Sequence, residues 1–220
     1  MVMVGTTLES CGDDEDGDNP GKGKAPNGVE AVDLGLTSGT LWANMNVGAS
    51  SPEELGDYFA WGETKSKSDY SLSTYKWYNE SSNKQTKYCT DASYGIVDNK
   101  TELDVKDDAA YVNWGSRWRI PSKAQFEELM RECVWTTTYI NGVEGSLVKS
   151  KKNNNSIFIP GNHFCVDIRL GYPSSNGYYW SRTLDSYPDY AWCIITRSSP
   201  QMFNYHPREY GLGIRPVAVK

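Results

Sequence analysis

Only one stretch of this 220-residue chain repeats its apolar residues at helical spacing over several turns, which limits the folds open to it. In Trp118-Arg119-Ile120-Pro121 the residue before proline is pushed out of the α region, so the segment reads as extended. Ser122 then supplies an N-cap, with Gln125 three residues on in capping-box position. Phe126, Leu129, Met130 and Cys133 share one face, and Lys123, Gln125, Glu127, Glu128 and Arg131 the other. These residues predict one amphipathic helix of about three turns. Pro52-Glu53-Glu54 offers a start for a second, shorter helix.

The remaining order is strand-like and short. Val32, Leu34 and Leu36 alternate before the Ser38-Gly39 turn, and Leu41, Ala43, Met45 and Val47 alternate after it, which predicts two paired strands. Residues 143–148 and 156–160 alternate around Asn153-Asn154-Asn155, and 179–181, 191–196 and 211–217 read as three further strands. Residues 48–112 carry few aliphatic runs and read as long loops anchored by Tyr58-Phe59-Ala60-Trp61 and Trp77-Tyr78; loops of that length are usually functional. With 15 Tyr, 8 Trp, 5 Phe, 20 Gly and 10 Pro, the composition suits an α+β domain rich in loops and excludes a coiled coil. No apolar run is long enough for a membrane-spanning helix.

The charge is concentrated at one end. The formal net charge is −6, and Glu9, Asp13, Asp14, Glu15, Asp16 and Asp18 supply it before any lysine or arginine occurs. The balanced remainder has no basic stripe for phosphates, so no nucleic-acid partner is expected. Residues 12–28 read as an acidic, extended linker ahead of a domain over 29–220. Residues 1–11 end in Leu8-Glu9-Ser10-Cys11, which resembles a truncated lipoprotein signal whose lipidated residue is Cys11; it lacks a charged leading region, and Glu9 is unusual there. The following Gly12-Asp13-Asp14-Glu15-Asp16 is similar to the export tag of surface lipoproteins in Bacteroidota-type bacteria. That resemblance implies an anchor in the outer membrane and a cell-surface location; read without it, the segment is a solvated leader. Cys89, Cys133, Cys165 and Cys193 allow three disulfide pairings or four reduced, buried thiols.

Leu41-Trp42-Ala43-Asn44-Met45-Asn46-Val47-Gly48, Tyr58-Phe59-Ala60-Trp61-Gly62-Glu63, Trp118-Arg119-Ile120-Pro121-Ser122, Gly177-Tyr178-Tyr179-Trp180-Ser181 and Gly213-Ile214-Arg215-Pro216-Val217 follow one another in order. Together they resemble the Fibrobacter succinogenes major paralogous domain family. This is a branch of the C-type lectin fold related to formylglycine-generating enzymes and to the variable proteins of diversity-generating retroelements. The resemblance spans roughly residues 29–219 and implies a C-type lectin-like fold with long irregular loops, one or two helices and a short antiparallel sheet. Trp118, Trp180 and Arg215 read as scaffold, the indoles in the core and the guanidinium pinning a loop.

Function is expected late in the chain. Aromatic side chains interleaved with small polar ones suit adaptable recognition loops. Tyr187, Tyr190, Cys193, Ile195, Arg197 and Ser199, followed by Gln201, Phe203, Tyr205, His206, Arg208 and Tyr210, are the candidate ligand-binding residues. Retroelement-diversified lectin folds vary this region, which implies a diversified adhesion or recognition surface; Gln201, Met202 and Glu209 depart from the residue set expected of that process. The expected ligand is a protein or a glycan. An alternative reading gives the aromatic loops 57–94, with Trp61 and Trp77, a structural role against a neighbouring subunit. No catalytic residue, cofactor or obligatory metal is expected. Glu53/Glu54 and Glu127/Glu128 point in different directions on a helix, no G-x-S-x-G occurs, and no cysteines match the formylglycine-generating site. Asp185, Asp189 and Asn204 supply oxygens for a cation only if the fold gathers them.

Overall fold

The computed structural model describes residues 23–170, 176–196 and 202–218, with the side chain of residue 170 left aside. The expected leader with Cys11, most of the acidic linker, and the candidate residues Arg197, Ser199 and Gln201 lie outside the described residues.

The chain is α+β, built mostly of small antiparallel sheets with two α-helices among the described residues. Strand β1 (Ala31–Asp33) pairs with β2 (Leu41–Ala43), Ala31 facing Ala43. Leu34 and Leu36 are buried but lie beyond β1, so their alternation marked burial rather than strand pairing. Residues 51–54 form bends and a turn, where a helix was expected. The loop region carries only the two-residue strands β3 (Tyr78–Asn79) and β4 (Lys84–Gln85) before helix α1 (Ala109–Trp114), whose N-cap Asp108 accepts from Tyr111 N. Strand β5 (Trp118–Arg119) follows.

Helix α2 (Lys123–Glu132) has the expected capping box: Ser122 Oγ accepts from Gln125 N at 3.2 Å and Gln125 Oε1 from Ser122 N at 2.9 Å. Phe126 and Leu129 are buried, but so is Glu128, which the helical pattern placed on the solvated face. Its carboxylate accepts from Ser38 N at 2.7 Å and Ser38 Oγ at 2.5 Å. The helix runs directly into β6 (Cys133–Ile140), which turns at Asn141-Gly142 into β7 (Val143–Ser150) and continues to β8 (Ser156–Pro160). Both turn residues have positive φ, 50° and 83°, as a tight hairpin turn requires. Cys133, read as the end of the helical face, is the first residue of a strand.

The short hairpin β9 (Cys165–Val166) and β10 (Arg169–Leu170) precedes β11 (Gly177–Leu184), β12 (Tyr190–Thr196) and β13 (Met202–Pro207), which form a sheet in that order. Residues 202–207 were expected as part of a loop; they pair with β12 along their length. Strand β14 (Val217–Ala218) then lies between β2 and β5, joining the beginning and end of the described domain.

Two buried clusters meet at β11. Trp180 turns into a core with Trp61, Trp118, Tyr88 and Ile214; Tyr179 turns into a second with Trp42, Phe126, Leu129 and Ile194. Full burial of an indole contributes roughly 4–6 kcal/mol of gross hydrophobic stabilisation, an upper bound. The polar ends are matched as well: Trp180 Nε1 donates to Phe59 O at 2.8 Å, and Tyr179 OH to Pro160 O at 2.6 Å. Arg215, fully buried, donates to Ala43 O and Phe158 O and so ties β2 to β8. Burial lowers its pKa to about 10.

Candidate functional site

Strands β12 and β13 place Trp192 opposite Tyr205 and Ile194 opposite Phe203. Side chains two apart share a face. Tyr190 and Trp192 therefore lie with Phe203 and Tyr205, and the rings meet edge to face: Tyr190 to Tyr205 at 5.4 Å, Trp192 to Tyr205 at 6.1 Å and Trp192 to Phe203 at 6.3 Å. Lys123, the first residue of α2, holds Nζ 3.9 Å from the centre of the Trp192 ring, a cation–π contact that fixes one end of the strip. Tyr205 is 46% exposed and Tyr187, in the β11–β12 turn, 56%.

The opposite face of β12 is interior, and on the strip's own face Ile194 and Thr196 are buried as well. Cys193 has no exposed surface and Ile195 is buried, so their expected place on the binding surface is corrected; Cys193 packs in the core with Trp180 and Ile214. The physical reason is parity. A strand with both faces covered loses the apolar–polar alternation that tells inside from outside, and the wrong parity moves every side chain to the other face.

His206 is half-buried against Phe164, Tyr178 and Tyr210, with ring centres 5.3, 5.7 and 5.9 Å away. Its Nε2 is buried without a hydrogen-bond partner, and burial lowers its pKa. Tyr210 is half-buried in the same group, stacked on Phe164, and burial raises its pKa. These two residues belong to a packed aromatic group on the opposite side of β13 from the half-exposed strip.

Arg208 is also corrected. Expected to read a ligand, it is fully buried and acts as a clamp. It donates to Tyr75 OH at 3.0 Å, Pro188 O at 2.9 Å, Lys87 O at 3.0 Å and Tyr88 O at 3.3 Å. The rings of Trp61, Tyr75 and Tyr88 surround its guanidinium at 5.0–5.9 Å. Tyr88 accepts from Arg208 in a left-handed conformation, φ 57°, secured by Asp98, whose carboxylate takes the Tyr88 and Cys89 N–H groups. The clamp binds the loop region to the β12–β13 corner.

A cleft of about 350 Å³ opens where those two parts meet, bordered by Tyr78, Gln85 and Tyr94 from the loops and by Asp189, Tyr190 and Glu209 from the corner. Gln85 Nε2 donates to Asp189 Oδ1 at 2.8 Å across 104 residues of sequence, while Gln85 Oε1 is buried with no partner. Burial raises the pKa of Glu209, and nearby Asp189 adds to the rise. Of the cleft's polar residues only Tyr190 was among the expected binding residues. Gln85 and Glu209 carry no local signal, since each acquires its setting from the other end of the chain.

The described residues contain no group of three His, Cys, Asp or Glu side chains placed to hold a metal ion. Cys89, Cys133, Cys165 and Cys193 are free and buried, which resolves the disulfide alternatives in favour of reduced thiols. Burial raises the pKa of Cys133 and Cys165 to about 11. No helix of the described residues is long and apolar enough to cross a membrane. Comparison with protein-family models, curated proteins and solved structures finds no match for this chain.

Proposed function

We propose that this chain is a recognition protein with a C-type lectin-like domain, displayed at the cell surface through a lipid on Cys11, and that it binds a protein or glycan through the β12–β13 corner. One observation carries the reading: Tyr190, Trp192, Phe203 and Tyr205 line up on one face of a strand pair, and the other face of β12 is locked into the core through Ala191 and Cys193. Rigid aromatic area costs little conformational entropy on binding, and tyrosine and tryptophan dominate interface energetics. Retroelement diversification of residues 187–210 belongs to the same reading; a reverse-transcriptase gene beside this gene, with an adenine-differing copy of the final coding stretch, tests it.

The second reading, a structural subunit using loops 57–94, has less to work with. Trp61 is 1% exposed and donates to Ser181 O, and Trp77 Nε1 donates to Gly62 O, so both indoles serve the domain's own packing. Ile96 and Val97 are the exposed apolar residues nearest that region, and an assembly contact would use them. The buried thiols with raised pKa speak against a reactive cysteine pair of the formylglycine-generating kind.

The test is capture from the native surroundings by immobilised protein. Trp192→Ala with Tyr205→Ala abolishes capture; because Trp192 is half-buried the variant melts lower, and circular dichroism at the assay temperature checks that it is still folded. Retained capture by that double variant, with loss in Ile96→Asp, moves the site to the loop region.

A further inference from the structure

The cleft between the loops and the β12–β13 corner has a lining whose chemistry is one-sided. It has two carboxylates, Asp189 and Glu209, and among the described residues no lysine or arginine borders it. Arg208 stands behind it, fully buried and engaged with carbonyls. Gln85, only 2% exposed, borders the same volume; its Nε2 is fixed on Asp189, and its Oε1 is a buried acceptor with no donor among the described residues. An acceptor in that state carries its desolvation penalty unrelieved until a donor arrives. Tyr78, Tyr94 and Tyr190 border it as well, with the neutral Leu72, Asn83, Ser93 and Pro207 between them, and aromatic faces attract cations.

We propose that this cleft captures a cationic nitrogen group, the ammonium of a lysine or the guanidinium of an arginine, presented by a basic segment of a partner polypeptide. The assignment rests on the reading of this corner as the recognition surface and names its ligand chemistry. An ammonium or guanidinium brings N–H donors and no acceptor, which matches a cleft bordered by two carboxylates and three aromatic rings, with an unpaired amide oxygen buried at its edge. A neutral polyol brings as many acceptors as donors and adds no positive charge beside the two carboxylates.

Calorimetric titration of the full chain tests this with Nα-acetyl-lysine methylamide and Nα-acetyl-arginine methylamide, the norleucine analogue as the uncharged control, and putrescine as a free amine. The basic amides bind with a Kd on the order of 1 mM, and the norleucine analogue binds at least about tenfold more weakly. Glu209→Gln, which keeps the shape of the side chain, weakens the basic amides about tenfold. Asp189→Asn, whose Oδ1 still accepts from Gln85, does the same and serves if Glu209→Gln fails to fold. Equal binding of norleucine and lysine analogues, no heat from either basic amide, or unchanged affinity in a folded Glu209→Gln each overturns the proposal. Putrescine binding about tenfold more tightly than both amides overturns the polypeptide source. Failure in these titrations with capture still lost in Trp192→Ala/Tyr205→Ala removes the cation assignment alone; intact capture in that double variant removes the underlying reading.

Discussion

Replacing Arg208 by methionine removes the guanidinium while keeping much of the side-chain volume, so the loss falls on its hydrogen bonds. Three backbone carbonyls, those of Lys87, Tyr88 and Pro188, and the Tyr75 hydroxyl lose their donor inside the core. Hydrogen bonds to a charged group contribute about 1.5–3 kcal/mol each, so the three carbonyl bonds amount to roughly 4–9 kcal/mol gross. Methionine avoids burying a charge, which offsets several kcal/mol, and the net cost comes to about 3–5 kcal/mol. For a chain of this length each kcal/mol lowers the melting temperature by about 2–4 °C, so Arg208→Met melts roughly 6–20 °C lower. Near-UV circular dichroism measures the melt. Amide hydrogen exchange locates the damage, with faster exchange expected at Thr86 and Gln85, whose N–H groups bond within the clamped loops. Arg208→Lys does not rescue, because a single ammonium cannot serve four acceptors spread around a planar fork. A melting temperature for Arg208→Met within about 2 °C of the parent, with unchanged exchange in the loops, refutes the clamp.

Two further outcomes follow from single residues. His206 has a folded-state pKa below its ordinary value because burial opposes its charge, so the unfolded chain takes up that proton first as pH falls. Its effect is absent above the ordinary histidine range and grows as pH drops from there to the lowered folded value; denaturant melts at stepped pH values see this slope, and His206→Phe, stacked in the same aromatic group, flattens it. Gly142 has φ 83° and open space where a Cβ would sit, so Gly142→Ala tests backbone strain alone. It destabilises by about 1 kcal/mol in a denaturant melt, and no change shows that the turn relaxes into another type.

The local signals that worked share a reach of a few residues. Ser122, Pro121 and Gln125 marked the start of α2 because a capping box closes within one helical turn. Strand β6 has its own signal: Thr136-Thr137-Thr138-Tyr139-Ile140 is β-branched and aromatic, and Asn141-Gly142 is the strongest short hairpin signal available. Helical spacing carried through to Cys133 obscured it. The aromatic and polar mixture over 202–207 suggested a loop, yet as an edge strand paired on one side it keeps several side chains partly exposed, and exposed strands have a loop's composition.

The sequence by itself determined the α+β character, helix α2 and its cap, about half of the strand locations, and the presence of tyrosine and tryptophan near the C-terminal strands. These depend on backbone hydrogen bonds and side-chain periods that close within a few residues. Tertiary structure alone decided that Trp192 faces out and Cys193 in, that Glu128 is a buried acceptor for Ser38, and that Arg208 is a clamp rather than a reader of ligand. It also decided that Gln85 meets Asp189 beside Glu209. Each of those outcomes depends on which distant segment covers a side chain, and a covered charge and an exposed one are the same letter until the chain has closed around it.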